Sequence, residues 1–342
     1  MPPLRDAHAF EISPGVRMPR LGLGTFKVRG EDATRVTLAA LRAGCRHVDT
    51  ASCYRNEEAI RDAVELWKEE TKDDGADADD AAVFLTSKLA PSEMGDPART
   101  REALLGVLVR LGRETREVKE EDEGFRINKG LAETRPVPKP LDLALVHWPA
   151  KAGAAPDDAS HFVARRDAWR VLERARDAGS VRAIGVSNYT RAHLEEMRFY
   201  AEKHLPCVNQ VELHPRCQQK ELRAACAELR VGVVAYSPLG CGALLEDPRV
   251  VRCAAQLAAE LQSGVPDRSV TPAQALLAWS LRQDGVVAAV CKSSDPARAA
   301  ANVGAGGVAF ALRLAELSDA AFRELDEMDD GTHFCWDPSV VR

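Results

Sequence analysis

Eight short apolar runs alternate with stretches of helical periodicity along this chain, and that alternation predicts an α/β fold: a closed, parallel (β/α)8 barrel of the TIM type. Two further observations support one barrel over residues 1–342. The opening AFEIS-PG-VRMPRLG reads as a hairpin turning at Pro14-Gly15, ahead of the first repeating unit. Three later runs end in isolated polar residues, Asp49, Lys88 and His147, and the strand C-termini of a parallel barrel all open on one face. A chain of 342 residues has room for two ordinary domains, but eight regular units fit a single barrel better.

Taken in order, strands are predicted at 21–25, 47–49, 83–87, 141–146, 181–186, 208–213, 232–235 and 286–290. Helices are predicted near 32–43, 57–70, 97–111, 161–178, 191–203, 218–229 and 295–303. A further helix near 272–282 opens TPAQ, a threonine cap with proline at the first helical position. Glu246-Asp247-Pro248 reads as a turn. Two stretches break the rhythm. Residues 73–81, acidic and small, predict a solvated loop. Residues 113–140 are charged and end in three prolines, which predicts an insertion between the third helix and fourth strand, too polar to build core.

Composition narrows the functional classes. A net charge of −6 and a pI near 5.8 argue against a nucleic-acid partner. No apolar stretch is long enough to span a bilayer, and the N-terminus lacks a signal-peptide pattern, so a cytoplasmic protein is expected. Nine cysteines without paired spacing suggest a reducing compartment and no structural metal. Most are expected to be small buried hydrophobes. Cys53, beside Tyr54, is the one to watch for oxidation, against the blander reading of a packed loop residue.

The run HVDTASCYRNE places the carboxylate of Asp49 at a strand end and the phenol of Tyr54 five residues on, in the following loop. With Lys88 after VFLTS and His147 after LDLALV, these groups suit carbonyl reduction. A tyrosine can protonate the developing alkoxide. A nearby ammonium should lower its pKa, and a carboxylate would orient that ammonium. A neutral imidazole would orient the carbonyl oxygen and stabilise its charge. Each residue alone has a plainer reading: Asp49 as a helix cap, Tyr54 as a loop anchor, Lys88 as a solvated strand end, His147 as structural. Their arrival at three corresponding strand ends favours a shared site.

The chain resembles the aldo-keto reductases over nearly its whole length. The resemblance is carried by GLGTF, HVDTASCYRNE, TSKL, LDLALVHWP, GSVRAIGVSNY, NQVELHP, AYSPLG, TPAQALLAWSL, KSSDPARAAAN and CWDP, in that order. It implies a barrel that uses NADPH to reduce an aldehyde, ketone or sugar aldehyde, acting as a monomer or weak dimer. It implies Tyr54 as the acid, Lys88 and Asp49 as its tuning pair, and His147 as the orienting imidazole. Ser187, Asn188 and Gln210 match residues that bind the nicotinamide amide, and Tyr236 matches the aromatic that stacks on its ring. Ser237 and Leu239 match pyrophosphate contacts, while Gly24, Thr25 and Asp49 complete the cofactor cleft. Lys292, Ser293, Ser294, Arg298 and Asn302 match the adenosine end, with the two cations suited to a 2′-phosphate. The spacing from Lys292 through Arg298 to Asn302 suggests one helix face.

Alternatives stand beside these assignments. Ser187 and Asn188 also read as a helix cap, and the cations also read as a solvated patch. Departures from the family pattern bear on substrate: Phe26 stands where relatives often have Trp, and Ala90 where they have an aromatic, implying a roomier pocket. Phe26, Tyr54, His147 and Trp148 are its expected walls, with Trp336 in a C-terminal tail lying over the active-site face. The segment LGCGALLEDP is short where some relatives fold a longer loop over the cofactor. Two other functions fit the same residues: a redox-sensing regulatory subunit that binds NADPH without turnover, and a barrel lyase or hydrolase with Lys88 as Schiff base or Asp49 as base. A short-chain dehydrogenase is disfavoured because no Tyr-x-x-x-Lys occurs.

Overall fold

The computed structural model describes residues 8–72, 82–113, 139–262 and 269–341. The chain opens with an antiparallel hairpin, β1 (Ala9–Ser13) and β2 (Val16–Pro19), turning at Pro14-Gly15 with Gly15 at φ 71°. Eight parallel strands follow: β3 (Leu21–Gly24), β4 (His47–Asp49), β5 (Phe84–Leu89), β6 (Leu141–Val146), β7 (Val181–Ser187), β8 (Val208–Glu212), β9 (Gly232–Tyr236) and β10 (Val286–Lys292). They close into a barrel in chain order, with β10 pairing back onto β3.

Two apolar layers hold this arrangement. Inside the barrel, Phe84, Leu143, Leu145, Ala183, Val208, Val234 and Val287 pack together, and Val16 and Met18 of the hairpin join them, capping the end away from the strand C-termini. Outside, helices bury one stripe each: in the helix Glu57–Glu70 the buried positions Ile60, Ala63, Val64 and Trp67 recur at helical spacing. His47 also turns inward, its ring edge-on to Phe84 and its Nε2 3.1 Å from Thr86 Oγ1. A Cβ at Gly22 would lie 2.3 Å from His47 Nδ1, so glycine there is a matter of space.

The structure corrects several boundaries. The helix predicted over 191–203 ends at Met197, and its continuation is a turn. Lys88 lies within β5 and not beyond it, because that strand runs on to Leu89. Three α-helices among the described residues were not anticipated: Pro248–Gln262, Ala305–Ala315 and Asp319–Asp326. Pro248, read as part of a turn, is the first residue of its helix, a position where its missing N–H costs nothing. The helix at 305–315 hid behind Gly306 and Gly307, and Gly304, in extended conformation, separates it from the helix before it. Of the expected insertion, Arg113 belongs to the core, donating to Val83 O at 3.3 Å and lying 3.6 Å from Asp142. Residues 114–138 and the acidic stretch 73–81 fall outside the described residues.

Candidate active site

The strand C-termini converge as predicted. Lys88 Nζ donates to Asp49 Oδ1 at 2.5 Å and to Thr50 O at 2.9 Å, with both side chains almost fully buried. Gln210 Nε2 takes the other oxygen of Asp49 at 2.7 Å. Tyr54 follows in a single 3-10 turn (Ser52–Tyr54), and its ring centroid lies 5.3 Å from Lys88 Nζ. Tyr54 Oη approaches His147 Nε2 at 3.4 Å, and Cys53 Sγ lies 3.6 Å from His147 Nδ1. The backbone of His147 is held on both sides: its N–H donates to Leu89 O at 3.0 Å, and its carbonyl accepts from Asn188 Nδ2 at 3.0 Å.

Electrostatics sets the protonation states. Burial, and then Lys88, press His147 down to about 3, so its imidazole is neutral at ordinary pH. Tyr54 is displaced upward, chiefly by burial and next by Asp49. The lowering expected from Lys88 does not outweigh these two causes. The ammonium is spent on Asp49 and Thr50, while the phenol loses solvent. Cys53 is likewise pushed up by burial, with Lys88 acting against it.

One cavity of ≈ 960 Å³ joins this centre to the far side of the barrel mouth. At the near end it is lined by Phe26, Tyr54, His147, Trp148 and Trp336. The Phe26 ring lies 5.1 Å from Tyr54 and 5.7 Å from Trp336, so the tail does reach over the active-site face. Ala90 is buried behind the wall, and Pro91 beside it meets the cavity instead.

The middle of the cavity is a connected polar set. Ser187 Oγ donates to Gln210 O at 2.8 Å, and Tyr236 Oη donates to Asn188 Oδ1 at 2.8 Å. Asn188 stands at φ 63°, and the helix after it is capped by Thr190, so the helix-cap reading of Ser187 and Asn188 does not hold. Beyond Tyr236 come Ser237 and Leu239, then Gly24 and Thr25 on the opposite wall, then Lys292, Ser293, Ser294, Arg298 and Asn302. Lys292 ends β10, whereas Arg298 and Asn302 sit one turn apart on the helix Pro296–Val303. The shared helix face predicted for all three is corrected to a strand end facing a helix. Arg298 is 72% exposed, its nearest carboxylate being Asp295 at 4.0 Å.

Sequence reasoning missed two supports. Asn56, at the head of a helix-like pattern, makes no cap: its Nδ2 donates to Thr25 O (2.9 Å) and Val28 O (2.8 Å) while Oδ1 accepts from Thr50 Oγ1 (2.6 Å). It staples the Tyr54 loop to the loop after β3. Glu212, buried at the end of β8, accepts from the backbone N–H of Phe334 (2.7 Å) and Cys335 (3.2 Å) and meets His214 and His333 at 3.1 Å each. Burial pushes its carboxyl upward, but the bonds from His214 and Phe334 outweigh it and hold the group low. Glu212 thereby moors the tail that carries Trp336. The local signal was a Glu near the end of the predicted strand 208–213, in NQVELHP.

A parallel eight-stranded barrel with buried polar groups at its strand C-termini and an elongated cleft across them defines an α/β enzyme architecture. A profile of the Aldo/keto reductase family matches residues 20–330, and the chain belongs to that family. It is 34% identical to an aldo-keto reductase of Mycolicibacterium vanbaalenii over 326 residues, 94% of this chain and 92% of the relative. The crystal structure of an aldo/keto reductase from Brucella melitensis superposes with a TM-score of 0.68 at 28% identity, covering 94% of this chain and 99% of that one. The aldose reductase of Schistosoma japonicum gives 0.68 at 25% identity over 93% and 91%. Family membership carries nicotinamide-dependent oxidoreductase chemistry on small carbonyl compounds. No described helix is long and apolar enough to cross a membrane.

Proposed function

We propose that this protein is a cytoplasmic, NADPH-dependent carbonyl reductase of small aldehydes, ketones or sugar aldehydes, built as one barrel domain over residues 1–342 with its charged insertion at 113–140 and acting as a monomer or weak dimer. The observation that carries the reading is one continuous cavity with Tyr54 and His147 at one end and Lys292 and Arg298 at the other. Its residues fit a dinucleotide. Tyr236 offers an aromatic wall beside Asn188 and Gln210, and two exposed cations wait where a 2′-phosphate would lie. A bound reduced nicotinamide would supply hydride to the carbonyl carbon.

The chain's own part is to hold the carbonyl and finish the proton transfer. Neutral His147 presents a ring nitrogen beside Tyr54 Oη, so both can meet one carbonyl oxygen. Tyr54, kept protonated by its burial, gives its proton as that oxygen becomes an alkoxide, a far stronger base than a phenolate. Lys88, fixed by Asp49, faces the Tyr54 ring and offsets the negative charge left on it. With Nζ buried and both neighbours occupying it, Lys88 is poorly placed for Schiff-base chemistry. NADPH consumption across a carbonyl panel tests the reading, and turnover separates an enzyme from a regulatory subunit. Tyr54→Phe should keep NADPH affinity and lose about 10²–10⁴ in kcat. Activity within threefold of wild type would reject the assignment of the acid.

A further inference from the structure

We propose that Cys241 and Cys335 are a thiol–disulfide site. A peroxide would join them in a reversible bond that straps the C-terminal tail to the turn after β9, across the mouth of the cleft. The two Sγ atoms lie 3.6 Å apart although 94 residues separate them in the chain. Both side chains line the cavity, and Ser237 Oγ bridges them at 3.7 Å from Cys241 Sγ and 3.4 Å from Cys335 Sγ. Cys335 is anchored, because its N–H is held by Glu212. Cys241 is exposed and sits in a turn at φ 55°, flanked by Gly240 (φ 57°) and Gly242 (φ 95°).

A disulfide needs the sulfurs at about 2.05 Å, so the pair must close by about 1.5 Å. The glycine-flanked turn can supply that movement while the tail stays moored. Access divides the roles. Cys241, exposed, meets the oxidant; Cys335, less accessible and anchored through its N–H, is the resolving partner, its thiol pushed up by burial against the opposing hydrogen bond to Ser237. In the first step Cys241 sulfur takes one peroxide oxygen, becoming a sulfenic acid, and the other oxygen leaves as water. In the second, Cys335 sulfur attacks Cys241 sulfur, expelling the sulfenic oxygen, which leaves as a second water with the thiol proton. Two thiols and one peroxide thus become one disulfide and two waters.

The consequence for cofactor rests on the reductase reading; the bond itself does not. Ser237 and Leu239 lie on the strapped segment, so NADPH must enter and leave beneath it. The test is to treat the full-length protein with hydrogen peroxide and map its peptides without reduction. A cross-linked pair containing Cys241 and Cys335 is expected, reversed by dithiothreitol and absent from both Cys241→Ser and Cys335→Ser. Stopped-flow quenching by NADPH should then show binding and release slowed at least about tenfold in the oxidised protein. Higher oxidation of Cys241 without a cross-link, or a bond to another cysteine, would overturn the assignment. A cross-link that leaves NADPH rates unchanged would overturn the strap. If the reduced protein bound no NADPH, the reductase reading would fail while the peptide map still decided the bond.

Discussion

The two ends of the cleft are built on different terms. At the catalytic end, Asp49 and Lys88 are nearly sealed from solvent, and each oxygen of the carboxylate has its own donor from a different strand. At the cationic end, Lys292 and Arg298 are exposed, and the closest carboxylate to Arg298 stands at 4.0 Å. The difference is one of cost. A buried ion pair leaves a stranded charge when one partner goes, whereas an exposed cation can be removed with little effect on the fold. On the proposed reading, position is rigid where a proton would move, and charge is available where a ligand would be chosen.

The largest expected effect follows from that asymmetry. Lys88→Met would leave Asp49 buried beside Gln210 without its cation, costing about 3–5 kcal/mol of stability as well as activity. Its thermal midpoint should fall by several degrees and its kcat by orders of magnitude. A Lys88→Met protein as stable as wild type would show that the pair carries no structural weight, and the contrast between the ends would fail.

At the opposite end, Lys292→Met with Arg298→Ala should leave the thermal midpoint almost unmoved. NADPH affinity should drop by about tenfold to a hundredfold, the worth of charge-assisted bonds to a phosphate, while NADH affinity holds. The wild-type preference should also shrink with salt. Equal weakening of both cofactors would mean that these cations serve the barrel and not the phosphate.

Acid separates the two ends again. His47, in the barrel interior two residues before Asp49, is pressed down to about 4 by burial, and His147 to about 3. Unfolded, both return to about 6.5, so the unfolded chain binds more protons below that pH. Stability from this source is intact above pH 6.5 and lost as pH falls toward 4, up to about 3 kcal/mol for His47 alone. A pH series of thermal midpoints should therefore slope steeply between 6.5 and 4. His47→Gln should flatten the slope and the Lys292/Arg298 double variant should retain it. An unchanged slope in His47→Gln would put the acid sensitivity elsewhere.

Legibility in the sequence followed the same division between local and distant interactions. The barrel was readable because each strand and helix declares itself over a few residues. His47–Asp49, Glu57–Glu70, Leu141–Val146 and Pro272–Arg282 fell where period and capping residues placed them. The convergence of Asp49, Tyr54, Lys88 and His147 was readable because strand C-termini share a face. What escaped was long-range or contrary to local propensity. Glu212 holds a tail more than a hundred positions away, Asn56 imitates a helix cap, and paired glycines open the helix Ala305–Ala315. The pKa of Tyr54 escaped too, since motif matching brings Lys88 near but does not measure how far burial outweighs it.

The smallest expected effect concerns the turn between the two ends. Segment 237–247 is folded into successive tight turns, with Gly240 N–H bonded to Ser237 O, Gly242 N–H to Leu239 O and Asp247 N–H to Leu244 O, and the helix Pro248–Gln262 starts directly after it. Little chain is left to fold over a pyrophosphate that, on the proposed reading, would lie against Ser237 and Leu239. In the reduced protein, release should then be quick, leaving hydride transfer at least partly rate-limiting, in contrast to enzymes whose lids govern turnover. A primary isotope effect clearly above unity is expected on steady-state turnover with NADPH deuterated at the transferred position. A turnover effect of unity alongside a normal single-turnover effect would mean that the exposed end of the cleft, and not the buried one, sets the rate.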